Sequence, residues 1–167
     1  EYVDERVECL SSALREIGIS RSQCEIRAAY TASHDYAHRL SKDQDHRYIS
    51  AERLDSIFTR LSAELSEDLK RRVQRDFEGF VLTDPPPLIE GVRETLEALS
   101  PKYRIGIICD TGITRGRVLR SVLAAHDVLR FFDVTVFSDE VGYNKPHNAM
   151  FETALAGIAA RPSEAIH

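Results

Sequence analysis

The amino-acid sequence predicts an α/β protein in which an all-helical unit precedes a parallel sheet, and three observations support this. Residues 1–82 place apolar side chains at helical spacing and contain no strand pattern. From residue 103 onward, short apolar runs alternate with helical segments, which is typical of strand–helix–strand units on a parallel sheet. Between the two regions lie three consecutive prolines at 85–87, which cannot continue a helix and form a stiff connector. We therefore predict two domains, a helical domain at residues 1–83 and an α/β domain at residues 84–167.

Four helices are predicted in the helical domain, and each has a recognisable start or stop signal. Gly18 ends the first helix, and the second begins near Ser22 and ends before a polar loop at residues 41–46. Ser50 and Ser66 are the expected N-caps of the third and fourth helices, because their hydroxyl groups can accept hydrogen bonds from backbone N–H groups. The short connections favour antiparallel neighbours, so we expect a four-helix bundle.

Strands and helices alternate in the predicted α/β domain. The expected elements are a helix at 89–99 with Val92, Leu96 and Leu99 inward, a fully buried strand at 103–109, a helix capped by Thr114 and ending near 126, a strand at 133–137, a helix at 147–159 with Phe151, Leu155 and Ile158 inward, and the start of another strand at 165–167. Two strands and the beginning of a third make a small sheet for this architecture. We therefore expect the chain to be truncated at both ends.

The composition excludes several classes of protein. Hydrophobic residues make up 43% of the chain, which is enough for a packed core, and the formal net charge of −5 argues against a nucleic-acid partner. No apolar run approaches the ~20 residues that a membrane-spanning helix needs. The three cysteines are an odd number without CxxC spacing, which is typical of reduced thiols in a cytoplasmic protein.

Two polar loops follow the two predicted strands, and we expect them to form one site. Cys109, Asp110, Thr111 and Gly112 end the first strand, and Lys145 lies in the loop after the second. Open α/β sheets place ligands at the carboxyl ends of their strands, and backbone N–H groups at the start of the following helix bind anions. We therefore predict that the two loops are the walls of a phosphate pocket.

A pair of histidines on the second predicted helix is a further candidate site. His34 and His38 lie four residues apart on one helix face, a spacing that can hold Zn²⁺. The sequence shows no third ligand, so we interpret them as a solvated or interhelical pair.

Three stretches of the α/β domain resemble loop motifs of the haloacid dehalogenase superfamily of hydrolases, in its phosphatase-like branch with a helical cap. They are Ile107–Gly112, Phe137–Gly142 and Lys145–His147. The resemblance implies a Rossmann-like parallel sheet core, incomplete here, and an all-helical four-helix-bundle cap domain. The family has four motifs: an Asp nucleophile with a second Asp, a Ser or Thr, a Lys or Arg, and an acidic pair that helps hold Mg²⁺. Only the second and third are found, because no Asp-x-Asp-x-Thr/Val sequence follows an apolar strand in this chain.

The resemblance implies a Mg²⁺-dependent phosphatase of small phosphorylated metabolites, with the Asp nucleophile and the Mg²⁺ ligands outside this chain. The chain alone is then expected to be inactive. Lys145 would be the catalytic residue, and Cys109, Asp110, Thr111 and Gly112 would bind the substrate. The hydroxyl of the second motif aligns with Cys109, so either this thiol or Thr111 would fill that role.

Two alternative functions stay open at this point. One is a hydrolase of carbon–halogen bonds that needs no metal, and the other is a non-catalytic interaction protein of the same fold. The presence of the acidic motif would distinguish the phosphatase from the hydrolase of carbon–halogen bonds. The presence of the Asp nucleophile motif would distinguish an enzyme from the non-catalytic interaction protein.

Overall fold

The structure is a computed structural model that describes residues 2–43 and 50–167, and for residues 36–43 it describes the backbone alone. Its helices and strands are α1 (Val3–Glu16), α2 (Gln23–Asp43), α3 (Ser50–Arg60), α4 (Glu67–Gly79), α5 (Val92–Leu99), β1 (Gly106–Cys109), α6 (Gly116–Ala125), β2 (Val134–Phe137), α7 (Ser138–Val141) and α8 (Asn148–Gly157). Short 3₁₀ helices lie at Phe80–Leu82, Leu129–Phe131 and Pro162–Glu164. The predicted fold class is confirmed, since helices precede a parallel α/β arrangement.

The four N-terminal helices share one hydrophobic cluster, as their apolar periodicity predicts. Side chains from all four helices are fully buried in it, among them Val7, Leu10, Ile26, Leu54, Ile57 and Phe77. Burial of this apolar surface is the main stabilising contribution, at roughly 25 cal/mol per Å² removed from water. One member comes from outside the helical domain, because Ile113 in the loop after β1 packs into the same cluster.

The helix ends agree with the sequence signals in part. Ser66 is an N-cap, since its Oγ accepts a hydrogen bond from the Leu69 N–H at 3.3 Å. Ser50 is not a cap: it is the first residue of α3, it is buried, and its hydroxyl donates to the Glu78 carboxylate. The loop predicted at residues 41–46 is wrong for its first three residues, because α2 continues to Asp43. The rest of that loop lies outside the described residues.

Strands β1 and β2 pair in parallel, with Gly106 opposite Val134 and Cys109 opposite Phe137. Both strands therefore end at the same edge of the sheet. The prediction that β1 is fully buried is wrong, because its residues are exposed or half-buried. In the described part of the chain β2 is the only strand that pairs with it, so its second edge is not covered by another strand.

Helix α8 packs on this sheet with a face that only partly matches the predicted one. Met150 and Ala154 are its buried residues and cluster with Val136 of β2, and the half-buried Phe151 packs against the same cluster. The packing face is thus shifted by about one residue from the predicted positions.

Two predictions for the α/β region are wrong in part or in full. Helix α5 forms, but it starts at Val92 rather than Ile89 and has no fully buried residue, and Ile89 is 80% exposed. Of the side chains predicted to face inward, Val92 and Leu96 are half-buried and Leu99 is exposed. The strand expected at 165–167 is also wrong, because these residues form no ladder with either described strand and Ile166 is fully exposed.

The helical and α/β regions are joined by polar and apolar contacts. Glu78 of α4 is completely buried and forms an ion pair with Arg117 of α6. Beside this pair, Val81 clusters with Val118 and Val122 of α6. Among the described helices, none combines the length and the hydropathy that crossing a bilayer would require.

Candidate active site

The two predicted loops meet at the carboxyl end of β1. The Lys145 ammonium donates a hydrogen bond to the Ile108 carbonyl oxygen, with Nζ and O separated by 3.2 Å. The backbone N–H of Lys145 donates to Asp110 Oδ1 at 2.8 Å. The structure therefore brings Lys145 together with the loop that carries Cys109 and Thr111, as parallel pairing of the two strands requires.

Thr111 links the first loop to α7, the short helix that follows β2, through both its backbone and its side chain. Its N–H donates to Ser138 Oγ at 2.8 Å, and its hydroxyl donates to Asp139 Oδ1 at 3.0 Å. Thr111 Oγ1 also accepts from the Asp139 N–H at 3.1 Å and lies 3.1 Å from Ser138 Oγ. A hydroxyl has one proton to donate. Since that proton is directed at Asp139, a phosphate ligand would have to displace this bond, and the phosphate role of Thr111 stays a prediction.

Asp139 connects the start of α6 to α7, and sequence reasoning gave it no role. Its side chain is 7% exposed and accepts hydrogen bonds from Thr111, from the Gly116 N–H at 3.0 Å and from Arg115 Nε at 3.2 Å. The predicted capping of α6 by Thr114 is wrong. Helix α6 begins at Gly116, and the Asp139 carboxylate satisfies its first N–H group. An acidic residue at a helix amino terminus is favourable for the helix dipole.

Cys109 is half-buried at the last position of β1, close to Lys145. Burial raises the pKa of its thiol, the Lys145 charge lowers it, and the carboxylates of Asp110 and Asp139 raise it further. Its Sγ lies 3.5 Å from the Asp110 carbonyl oxygen, a contact within reach of a thiol donor. Cys109 is therefore a neutral thiol at neutral pH, with a weak hydrogen-bond donor and little nucleophilic character.

The remaining predicted residues border the same space. Asp110 is exposed, and its carboxylate orients the Lys145 backbone. Gly112 is exposed as well, and a Cβ built on it would meet no atom within 4 Å. A ligand can therefore approach the backbone of this turn closely, which is a common function of glycine at anion-binding loops.

The described residues do not fit a magnesium site. They contain no group of three His, Cys, Asp or Glu side chains placed to hold a metal ion. Of the two carboxylates near Lys145, Asp139 accepts three hydrogen bonds and Asp110 accepts one from the Lys145 backbone. For the zinc alternative, the side chain of His38 lies outside the described residues, so the histidine pair stays a prediction.

Comparisons with known proteins match this chain to one family of sequences. A sequence model of the haloacid dehalogenase-like hydrolase family matches residues 21–167. Glyceraldehyde 3-phosphate phosphatase from Methanothermobacter thermautotrophicus is 37% identical over 89 residues, which cover 52% of this chain and 36% of that protein. The chain thus spans about a third of the length of this relative.

Solved structures with the same fold are also longer than the chain. The HAD phosphatase from Thermococcus onnurineus superposes with a TM-score of 0.61 at 20% identity, covering 98% of this chain and 65% of that one. The HAD-hydrolase YfnB from Bacillus subtilis superposes with a TM-score of 0.57 at 15% identity, covering 98% and 70%. The family match over most of the chain, together with these folds, shows that the chain belongs to the haloacid dehalogenase-like hydrolase family.

Proposed function

We propose that the intact protein is a phosphatase of a small phosphorylated metabolite, and that this chain supplies the walls that bind the phosphate. The observation that carries the proposal is the position of the Lys145 ammonium, 3.2 Å from the Ile108 carbonyl at the end of β1. A phosphatase among the relatives, at 37% identity, favours this reaction over carbon–halogen hydrolysis.

The chemistry explains why a lysine belongs at this position. Phosphoryl transfer needs positive charge near the equatorial phosphate oxygens, and an aspartate nucleophile approaching a phosphate dianion meets like-charge repulsion. The Lys145 ammonium offsets that repulsion by contacting both anions. We place the nucleophile outside these 167 residues, because no Asp-x-Asp-x-Thr/Val sequence follows an apolar strand in them.

Cys109 is the better candidate than Thr111 for the donor of the second motif. The Thr111 hydroxyl gives its proton to Asp139, whereas the Cys109 thiol lies at the strand end beside Lys145. We assign phosphate binding to Lys145, the Cys109 thiol and the turn that contains Gly112. Asp110 then has a positioning role, since its carboxylate holds the Lys145 backbone.

A magnesium requirement is part of the proposal for the intact protein. The ion would add positive charge beside the phosphate, and we place its ligands on carboxylates outside this chain. The residues that the structure describes contain no group of three His, Cys, Asp or Glu side chains that could hold it. The helical domain would then cover the site as a cap that excludes water and selects the substrate.

The test compares this chain with the protein encoded by the complete reading frame. With p-nitrophenyl phosphate and Mg²⁺, we expect no turnover by the chain alone and turnover by the complete protein. In the complete protein, Lys145→Ala should reduce kcat/KM by at least ~100-fold, as expected for loss of one positioned charge that stabilises the transition state. Lys145→Arg should retain part of the activity. Full activity of Lys145→Ala, or turnover by the chain alone, would contradict the proposal.

A further inference from the structure

A buried guanidinium in the helical domain has hydrogen-bonding capacity that the described residues do not use. Arg6 of α1 is 6% exposed, and its single hydrogen bond to the described residues runs from Nη1 to the Tyr30 hydroxyl at 3.3 Å. Its Nε is buried without any hydrogen-bond partner among those residues. No described carboxylate pairs with it. The Nε side of the guanidinium is therefore a donor edge with no acceptor.

Tyr30 of α2 provides a second donor next to this edge. It is 5% exposed, and its hydroxyl oxygen accepts the bond from Arg6. The hydroxyl proton has no acceptor among the described residues. Two unused donors thus lie side by side in the interior, and buried polar groups of this kind are normally satisfied.

The charge of Arg6 favours an anion next to these donors. The buried Arg53 stacks on the Tyr30 ring, with its guanidinium carbon 4.6 Å from the ring centre, and its Nε donates to Ser33 Oγ at 3.0 Å. Glu78 is the buried carboxylate of this domain, but it accepts from Ser50, Gln74 and Arg117 rather than from Arg6. A buried charge without a counter-charge is strongly unfavourable. An anionic ligand would remove that penalty.

We propose that Arg6 and Tyr30 form a binding site for the carboxylate group of a small molecule. The planar edge formed by Nε and the free terminal nitrogen matches the two oxygens of a carboxylate, and the Tyr30 hydroxyl donates to one of them. A phosphate dianion has three oxygens to satisfy and suits a site with more donors, such as the Lys145 loop.

The site lies on the side of the helical domain that faces the α/β region. The Arg6 guanidinium is 5.5 Å from the Phe77 ring and 5.7 Å from the Tyr2 ring. Phe77 shares its hydrophobic cluster with Ile113 of the loop after β1, and Tyr2 packs against Val81 and its cluster with α6. If the proposed phosphatase function holds, the substrate is a phosphorylated carboxylic acid; the carboxylate site itself does not depend on that function.

The test follows the arginine Nε–Hε signals in ¹H–¹⁵N spectra of the 167-residue chain. Sodium glycolate is titrated at constant ionic strength, with sodium chloride and ethylene glycol as the anion and neutral controls. We expect one Nε–Hε signal to shift to saturation with glycolate alone, and that signal to be missing in Arg6→Gln. Tyr30→Phe should weaken glycolate binding about fivefold, the effect of losing one hydrogen bond.

Matched variants separate this proposal from the phosphatase proposal. Arg27→Gln, which changes an exposed arginine paired with Asp4 on the surface, should bind glycolate like the unmodified chain. Lys145→Ala should lose binding of inorganic phosphate and keep binding of glycolate. Failure of phosphate binding with glycolate binding intact would overturn only the phosphatase proposal.

Three results would overturn the carboxylate site. They are a glycolate shift that does not saturate, a shift that chloride reproduces, and a saturating shift that persists in both Arg6→Gln and Tyr30→Phe. Arg6→Met gives an independent readout, because it keeps the apolar stem while removing the unpaired charge. Its Tm should equal or exceed that of the unmodified chain, and a fall of several degrees would indicate a structural role instead.

Discussion

Thr111, in the loop after β1, and Asp139, in helix α7, exchange hydrogen bonds. The Thr111 hydroxyl donates to the Asp139 carboxylate at 3.0 Å, and the Asp139 N–H donates back to the Thr111 oxygen at 3.1 Å. Reciprocal bonds of this kind fix both the separation and the orientation of the two segments. They hold the loop after β1 beside the loop that carries Lys145.

Removal of the Asp139 carboxylate should therefore destabilise the chain substantially. Asp139→Ala leaves donors of Thr111, Arg115 and Gly116 without their acceptor, and three such bonds at roughly 1 kcal/mol each give a loss of about 3 kcal/mol. The loss in the free energy of unfolding is measured by urea unfolding monitored by circular dichroism. Asp4→Ala is the control, since that carboxylate is exposed on the surface. A loss from Asp139→Ala no larger than that of the control would contradict the bridging role.

The amino terminus of α6 should tolerate no side chain at position 116. A Cβ on Gly116 would lie 2.5 Å from ring atoms of Phe137, which is itself buried, so something must shift. Overpacking of this kind costs about 1–3 kcal/mol, and we expect Gly116→Ala to lose that much on urea unfolding. Gly112→Ala is the matched control, because a Cβ there meets no atom within 4 Å. Equal stabilities for the two variants would show that Phe137 moves aside freely.

Glu78 and Arg117, which form an ion pair between the helical and α/β regions, should be energetically coupled. Glu78 is fully buried and the Arg117 side chain is 57% exposed, so Arg117→Met leaves a buried carboxylate with neutral partners alone. We expect the free energy of unfolding to fall by about 2 kcal/mol in Arg117→Met. Most of this loss should be recovered when Glu78→Gln is added. A double-mutant cycle on the free energy of unfolding gives the coupling, and additive effects would argue against it.

Cys9 should make stability fall at alkaline pH. Burial, with the charge of Asp76, raises the pKa of the Cys9 thiol from 9.0 to about 11, although Arg72 acts in the opposite direction. The folded state therefore keeps its proton at pH values where the unfolded state has lost it. This stabilisation is complete below pH 9 and is lost as the pH rises towards 11.

The measurement is Tm as a function of pH for the unmodified chain and for Cys9→Ala. The difference in Tm between the unmodified chain and Cys9→Ala should become smaller between pH 9 and pH 11. Cys24→Ala provides the control, since Cys24 is exposed, and it should show no such narrowing. Parallel curves for Cys9→Ala and the unmodified chain would show that Cys9 does not titrate in this range.

Much of the fold could be predicted because its signals are local. The apolar stripe of α1, the Ser66 cap and the polar loop around Lys145 each follow from a few neighbouring residues. The convergence of Lys145 on β1 follows from one further rule, that parallel strands end at the same edge of a sheet.

Features that depend on distant residues could not be predicted in this way. Asp139 lies 23 residues beyond the Gly116 N–H that it accepts from, so the local capping rule pointed to Thr114 instead. The apolar face of α5 has the periodicity of a buried helix, but periodicity does not reveal whether another element covers it. Arg6 lies beside the apolar stripe of α1, and no pattern in the sequence shows that a charged side chain there is buried.

The burial of Ile113 among the N-terminal helices has a consequence for cooperativity. This side chain belongs to the loop that follows β1, yet its hydrophobic neighbours come from the helical cluster. The loop therefore depends on the packing of those helices for its conformation. Heating should melt the helices and the turn after β1 in a single transition, so that each region depends on the other for its order.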